Sequence, residues 1–309
     1  MKQASKLLVI SSILALCLGV SSLGAETEAE TEKEADILFD VPFVDDGEDY
    51  HLLDLFGTRS SEEKLPTVIE VHGGGFIGGN KDSNIDHCLF YAENGFSVVS
   101  VDYRTVPKEG DFKGAVQDLF AAYHWVSDHA DEYHFDLEHV FFSGDSAGGY
   151  YCLLTDAIWH SEELRDYFGL TLPPYTPLGY ALTAPATDML ANKDKADGEG
   201  PDAHVAKVLL EGGAFEDEEL MEHMDLYTAV EPEAFAGIYM LSSTEDTTTR
   251  EDTLKFDQYL TEEGVDHTFV DYESEGSRLI HVFNISNPEY PESLKANQGL
   301  VDYMRSLME

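Results

Sequence analysis

Residues 139–154 read HVFFSGDSAGGYYCLL: an apolar run, a turn of glycines around Ser146, and at once a second apolar run. Few folds accept that order. Residues 140–143 suit a strand covered on both faces, because such strands are continuously apolar rather than alternating. Residues 147–159 are apolar on most sides, as expected of a helix packed inside a fold. Between them, Gly144-Asp145-Ser146-Ala147-Gly148 fits G-x-S-x-G, the sharp strand-to-helix turn that presents a serine at the end of a sheet. Small neighbours let strand and helix approach closely around that serine, and the helix N-terminus favours an oxyanion beside it. A tight connection with no further role is the competing reading, since Gly and Ser are common in turns. The apolar strand and helix on either side favour the first.

The rest of the chain repeats the rhythm. Strand-like runs occur at 38–44, 50–56, 67–72, 97–103, 140–143, 179–183, 238–242 and 268–272. A one-face apolar stripe of Val116, Leu119, Phe120, Tyr123 and Val126 predicts a helix over 115–130. The last helix follows Pro291, with Leu300, Tyr303, Met304 and Leu307 on one face. Strands separated by helices predict an α/β fold with a mostly parallel central sheet of about eight strands and helices on both faces. Residues 188–235 depart from the rhythm, with Gly198-Glu199-Gly200-Pro201 and a helical stretch near 203–210. That insertion reads as a lid, part of a pocket, or a surface excursion.

The N-terminus reads as processing signal. Two lysines precede an apolar run over 7–20, and Ser21-Ser22-Leu23-Gly24-Ala25 offers small residues for cleavage, the layout of a secretory signal peptide over 1–25. Leu16 stands where a lipoprotein signal has a small residue, so Cys17 reads as an ordinary signal-peptide cysteine, with lipidation the alternative. An acidic low-complexity leader, 26–36, precedes a domain over 37–309. Acidic residues number 61 against 18 basic ones, a formal net charge of −43. Such a surface repels nucleic acid, anionic membranes and polyanionic substrates. Cys88 and Cys152 lie in apolar helical surroundings and read as buried free thiols rather than a disulfide. His124, His129, His134 and His139 recur every five residues, which on a helix turns each by about 140° from the last. They share no face, no H-E-x-x-H is present, and no metal or other cofactor is expected.

A second motif lies upstream: Val68-Ile69-Glu70-Val71 runs into His72-Gly73-Gly74-Gly75-Phe76. With no G-K-[ST] after it, a phosphate loop is disfavoured, and its backbone N–H groups together with that of Ala147 suit an oxyanion hole. HGGGF, then VSVDYR over 99–104, then GDSAGG, with the first and last about seventy residues apart, resembles the hormone-sensitive-lipase-type esterases of the α/β-hydrolase superfamily, including bacterial acetyl esterases. The similarity runs over residues 65–290.

The order Ser, acid, His expected of this fold then selects partners for Ser146. Asp246 follows the strand over 238–242 and matches the family's acid position, with Glu245 the fallback. Thr248-Thr249-Arg250-Glu251 reads as a capping box opening a helix, which turns Asp252 and Asp257 elsewhere. His281 follows the last strand in the His-x-Phe pattern of the family; the only other histidine beyond Asp246, His267, abuts that strand. The resemblance thus implies a Ser146–Asp246–His281 triad with an oxyanion hole of Gly74, Gly75 and Ala147. It implies a serine esterase acting on small-molecule, short-acyl esters, an acetylated saccharide among them, and the signal-peptide layout makes that enzyme a secreted one. Amide or carbamate hydrolysis by the same triad is one alternative. A non-catalytic binding module is another, and it predicts a lost triad member where all three positions are filled.

Overall fold

The structure, a computed structural model, describes residues 36–57, 63–229, 232, 235 and 237–309. The signal-peptide reading of 1–25, Cys17 with it, and the leader up to residue 35 lie outside the described residues. Asp36, assigned to the leader, instead opens the first strand. Eight strands form one sheet: β1 Asp36–Pro42, β2 Leu52–Gly57, β3 Leu65–Val71, β4 Ser97–Val101, β5 Phe135–Asp145, β6 Pro177–Thr183, β7 Ile238–Ser243 and β8 His267–Tyr272. Their order is β1-β2-β4-β3-β5-β6-β7-β8. The β1–β2 and β2–β4 pairs are antiparallel and the remaining pairs parallel.

Among the described residues the longer helices are α1 Ile85–Glu93, α2 Phe112–Asp128, α3 Ala147–His160, α4 Glu162–Phe168, α5 Pro201–Glu211, α6 Arg250–Glu263 and α7 Pro291–Ser306. Successive strand residues feed two cores. Ile69, Val99, Phe142 and Leu182 pack with α2, α3 and α6, whereas Val68, Val98, Phe141 and Leu241 pack with α1 and α7. Each such side chain, fully buried, contributes about 2 kcal/mol. Burial on both faces explains why these strands are unbroken apolar runs. The stripe predicted on α2 is buried throughout, and on α7 Leu300 and Met304 are the deepest of the four named. Cys88 sits in one core and Cys152 in the other, both free, with the sheet between them. No helix among the described residues is long and apolar enough to cross a membrane.

Two expectations need correcting. β5 spans 11 residues rather than the four of its apolar run, because its polar first half pairs with β3, Leu65 against Phe135, across a register shift. The capping box over 248–251 does not form. The N-cap of α6 is Thr249, without a side-chain cap, and its Oγ1 donates to the Ala184 carbonyl at 2.8 Å. Asp246 takes the amide that the Glu251 side chain would bind in a capping box: its Oδ1 accepts from Thr248 N at 2.8 Å and from Thr249 N at 3.3 Å. Parallel pairing puts the carboxyl ends of β3, β5, β7 and β8 along one edge. The glycine turn, the serine elbow and the loops carrying Asp246 and His281 all leave from that edge.

Candidate active site

Ser146 stands between the end of β5 and the start of α3 at φ 51° and ψ −116°, a strained conformation for a non-glycine residue. Its backbone is overdetermined: its N–H donates to the Thr183 carbonyl at 3.0 Å, and its carbonyl accepts from Tyr150 N at 3.1 Å and Ala186 N at 3.0 Å. The elbow is packed against β3. A Cβ on Gly148 would lie 2.0 Å from the Val71 carbonyl oxygen, so no larger residue fits there without parting strand and helix. Ser146 itself is 8% exposed.

The three residues selected by chain order come together. His281 Nε2 lies 3.0 Å from Ser146 Oγ, and His281 Nδ1 lies 2.9 Å from Asp246 Oδ2. With Nδ1 donating to the carboxylate, Nε2 is left to accept the serine proton. Burial pushes the Asp246 carboxyl up. The bond to and charge of His281, with the Thr248 and Thr249 amides, outweigh it and hold its pKa below the ordinary 3.8. Glu245, the fallback acid, does not reach the imidazole. Its Oε2 accepts from Leu279 N at 2.8 Å while Ser243 Oγ donates to the Leu279 carbonyl, so both peptide groups of a residue two before His281 are pinned to the β7 end. Asp257 is paired with His267 Nε2 at 2.9 Å, away from the site.

Gly74 and Gly75 form the turn after β3, where the Gly74 carbonyl accepts from Ile77 N at 3.3 Å and Gly78 N at 3.2 Å. Gly75 has φ +62°, and a Cβ there would lie 2.7 Å from Val205 Cγ2 on α5, so conformation and neighbour both demand glycine. Ala147 opens α3, placing its N–H at the free end of the helix. His72 faces inward: Nδ1 donates to the Gly73 carbonyl at 2.7 Å and the ring stacks on Tyr103 with centroids 4.3 Å apart. Burial lowers its pKa to about 4, so it is neutral at neutral pH and holds the turn rather than moving protons.

Reading the sequence missed the ties behind this turn. Asp145 Oδ1 accepts from Gly73 N at 2.8 Å and from Asn84 Nδ2 at 2.8 Å, and Asn84 Nδ2 also meets Glu70 Oε1 at 2.7 Å. A charged residue inside the apolar strand run Val68-Ile69-Glu70-Val71 was the one signal available. Described residues of the 188–235 segment pack on the site and its surroundings: Val205 abuts Gly75, Tyr150 Oη donates to the Met224 carbonyl, and a Cβ on Gly212 would lie 2.1 Å from Pro107 Cγ.

Comparison with known proteins fits this geometry. Residues 53–249 match the BD-FAE family model. The chain is similar to Esterase LipI of Mycobacterium tuberculosis, 39% identical over 93 residues, which make up 30% of this chain and 29% of that protein. It is similar to the acetyl esterase of Salmonella typhi, 37% identical over 101 residues, 32% of this chain and 29% of that protein. The matched stretch therefore spans less than a third of each of these relatives. Among solved structures, esterase B from Lactobacillus rhamnosis superposes with a TM-score of 0.80 at 24% identity, covering 99% of this chain and 93% of that one. The hyperthermophilic esterase from Pyrobaculum calidifontis gives 0.63 at 24% identity over 83% of this chain and 81% of that one. The fold is that of the α/β-hydrolases.

Proposed function

The chain belongs to the BD-FAE family, and on that premise we propose that it is a serine carboxylic-ester hydrolase with Ser146 as nucleophile, His281 as base and Asp246 as orienting acid. The unbroken run of hydrogen bonds from Ser146 through His281 to Asp246, at 3.0 and 2.9 Å, carries the reading. Ser146 Oγ bonds to the ester carbonyl carbon as His281 Nε2 takes its proton. The carbonyl electron pair moves onto oxygen, where the N–H groups of Gly74, Gly75 and Ala147 stabilise it. Collapse breaks the carbon–oxygen bond to the alcohol, which departs with the proton from His281 and leaves the acyl group on Ser146. Water then repeats the sequence and releases the acid. Asp246, held ionised, balances the charge on the imidazolium.

Short acyl esters of the acetyl type are the proposed substrates, supported by the similarity to an acetyl esterase; acetylated saccharides belong to that class. The N-terminal layout supports export with cleavage near Ala25, tested by sequencing the N-terminus of protein recovered outside the cytoplasm. The function itself is tested by hydrolysis of p-nitrophenyl acetate, butyrate and octanoate, with Ser146→Ala alongside. Activity falling with acyl length and lowered in the mutant on the order of 10⁶-fold is expected. Near-native hydrolysis by Ser146→Ala would sink the assignment.

A further inference from the structure

We propose that Val205 on α5, standing over the glycine turn, sets the acyl length this site accepts. The inference rests on the ester-hydrolase reading above. α5 is 11 residues long and so spans about 15 Å. At its start, the Asp202 carboxyl hydrogen-bonds the Thr248 side chain and feels the charges of His281 and Asp246. One turn later the two γ-methyls of Val205 lie 2.7 and 3.0 Å from where a Cβ on Gly75 would stand. Past its end, Gly212 packs on Pro107, in the chain that follows β4. The helix therefore crosses the site from the His281 side to the far side of the glycine turn.

The reaction assigns those two sides. The departing alcohol must face His281 Nε2 to receive its proton, and the carbonyl oxygen must face the Gly74, Gly75 and Ala147 amides. The remaining substituent of the tetrahedral carbon, the acyl chain, is directed away from His281, and α5 carries Val205 onto the glycine turn as it runs from the His281 side. Burial fits: Ala203, Ala206 and Leu209 are buried on the core side of α5, while Val205 is only half-buried. A β-branched side chain on a helix holds one rotamer, so this wall is stiff.

The test compares Val205→Ala and Val205→Phe in the full chain, by kcat/KM on p-nitrophenyl acetate, butyrate and octanoate. Val205→Ala is expected to raise the octanoate-to-acetate ratio roughly tenfold, and Val205→Phe to lower the butyrate-to-acetate ratio by a similar factor. Lys207→Ala, exposed on the same helix and ion-paired with Glu211, is expected to keep the wild-type ratios. A shift in Lys207→Ala equal to that in Val205→Ala would show loosening of the helix and overturn the proposal. So would wild-type ratios in a folded Val205→Ala, or a changed preference between ethyl and p-nitrophenyl acetate with acyl ratios fixed. If Val205→Phe does not fold, Val205→Ala decides alone. Inactivity of the wild type on every ester is a separate outcome: it refutes the ester-hydrolase reading and this inference with it.

Discussion

One buried carboxyl, next in the chain to Ser146, links the end of β5 to the glycine turn. Asp145 Oδ1 accepts from Gly73 N, and the Asn84 amide that also reaches it is shared with Glu70, so two buried carboxyls meet at one donor. His87 Nδ1 lies 3.5 Å from Glu70 on the other side. Burial raises the Asp145 pKa above the ordinary 3.8; the Asn84 and Gly73 bonds oppose the rise and the Glu70 charge adds to it. The fold thus favours the protonated acid. Its contribution to stability is full below the ordinary value and is lost as pH rises through the raised folded value. Asp145→Asn keeps an acceptor for Gly73 and never ionises, so its melting temperature should exceed that of the wild type by more at pH 8 than at pH 4.5. A gap that does not widen with pH would contradict this. Asp145→Ala removes the acceptor and should lower kcat by about 10- to 100-fold, because a loosened turn aims its amides less well. Ser146, Asp246 and His281 were legible because fold order ranks them along the chain. The bridge of Asn84 between Glu70 and Asp145 was not, because its ends lie 14 and 61 residues away along the chain and no local pattern marks the meeting.

Strand and helix meet most closely at the elbow, and there backbone contact sets the limit. With only 2.0 Å between a Cβ on Gly148 and the Val71 carbonyl oxygen, Gly148→Ala must push α3 off β3. Overpacking of this kind against backbone should cost about 3 kcal/mol, read as a lowered urea midpoint with the slope unchanged. Gly169→Ala has open space around it and is the control for steric clash, although its φ of +69° still penalises a side chain. A Gly148→Ala loss no larger than that of Gly169→Ala would mean the elbow yields to the clash at no more than the cost of a positive φ. β3, β4, β6, β7 and the second half of β5 could be read from sequence because a parallel strand covered on both faces is an uninterrupted apolar run. The first half of β5 could not, since Asp136 and Glu138 are polar there and only the pairing of Leu65 with Phe135 extends the strand. The start of α6 was placed to within two residues, but its cap was misread, because the helix opens after Thr249 and Asp246 from the preceding loop holds the Thr248 amide that a capping box needs.

At the scale of the whole molecule the excess of acid governs. With 18 basic residues against 61 acidic ones, a cation serves several carboxylates at once. Lys81 Nζ lies 2.7 Å from Asp40, 3.0 Å from Asp54 and 3.2 Å from Asp82, and this cluster secures the chain that follows the glycine turn. The remaining negative charge makes a field that an approaching substrate crosses before any pocket contact is made, and such fields change encounter rates by about 10- to 1,000-fold. Two p-nitrophenyl esters of similar acyl length separate field from fit: the neutral butyrate and the anionic monosuccinate. At 10 mM salt, kcat/KM for the monosuccinate should fall at least about tenfold below that for the butyrate. At 0.5 M salt the screening length shrinks to about 4 Å, and the gap should narrow severalfold while the butyrate value stays level. Those two responses together require a long-range cause, because a contact inside the pocket is shorter than the screening length. A gap indifferent to salt would place the discrimination against the acyl carboxylate in the pocket walls and remove the field from the account of substrate choice.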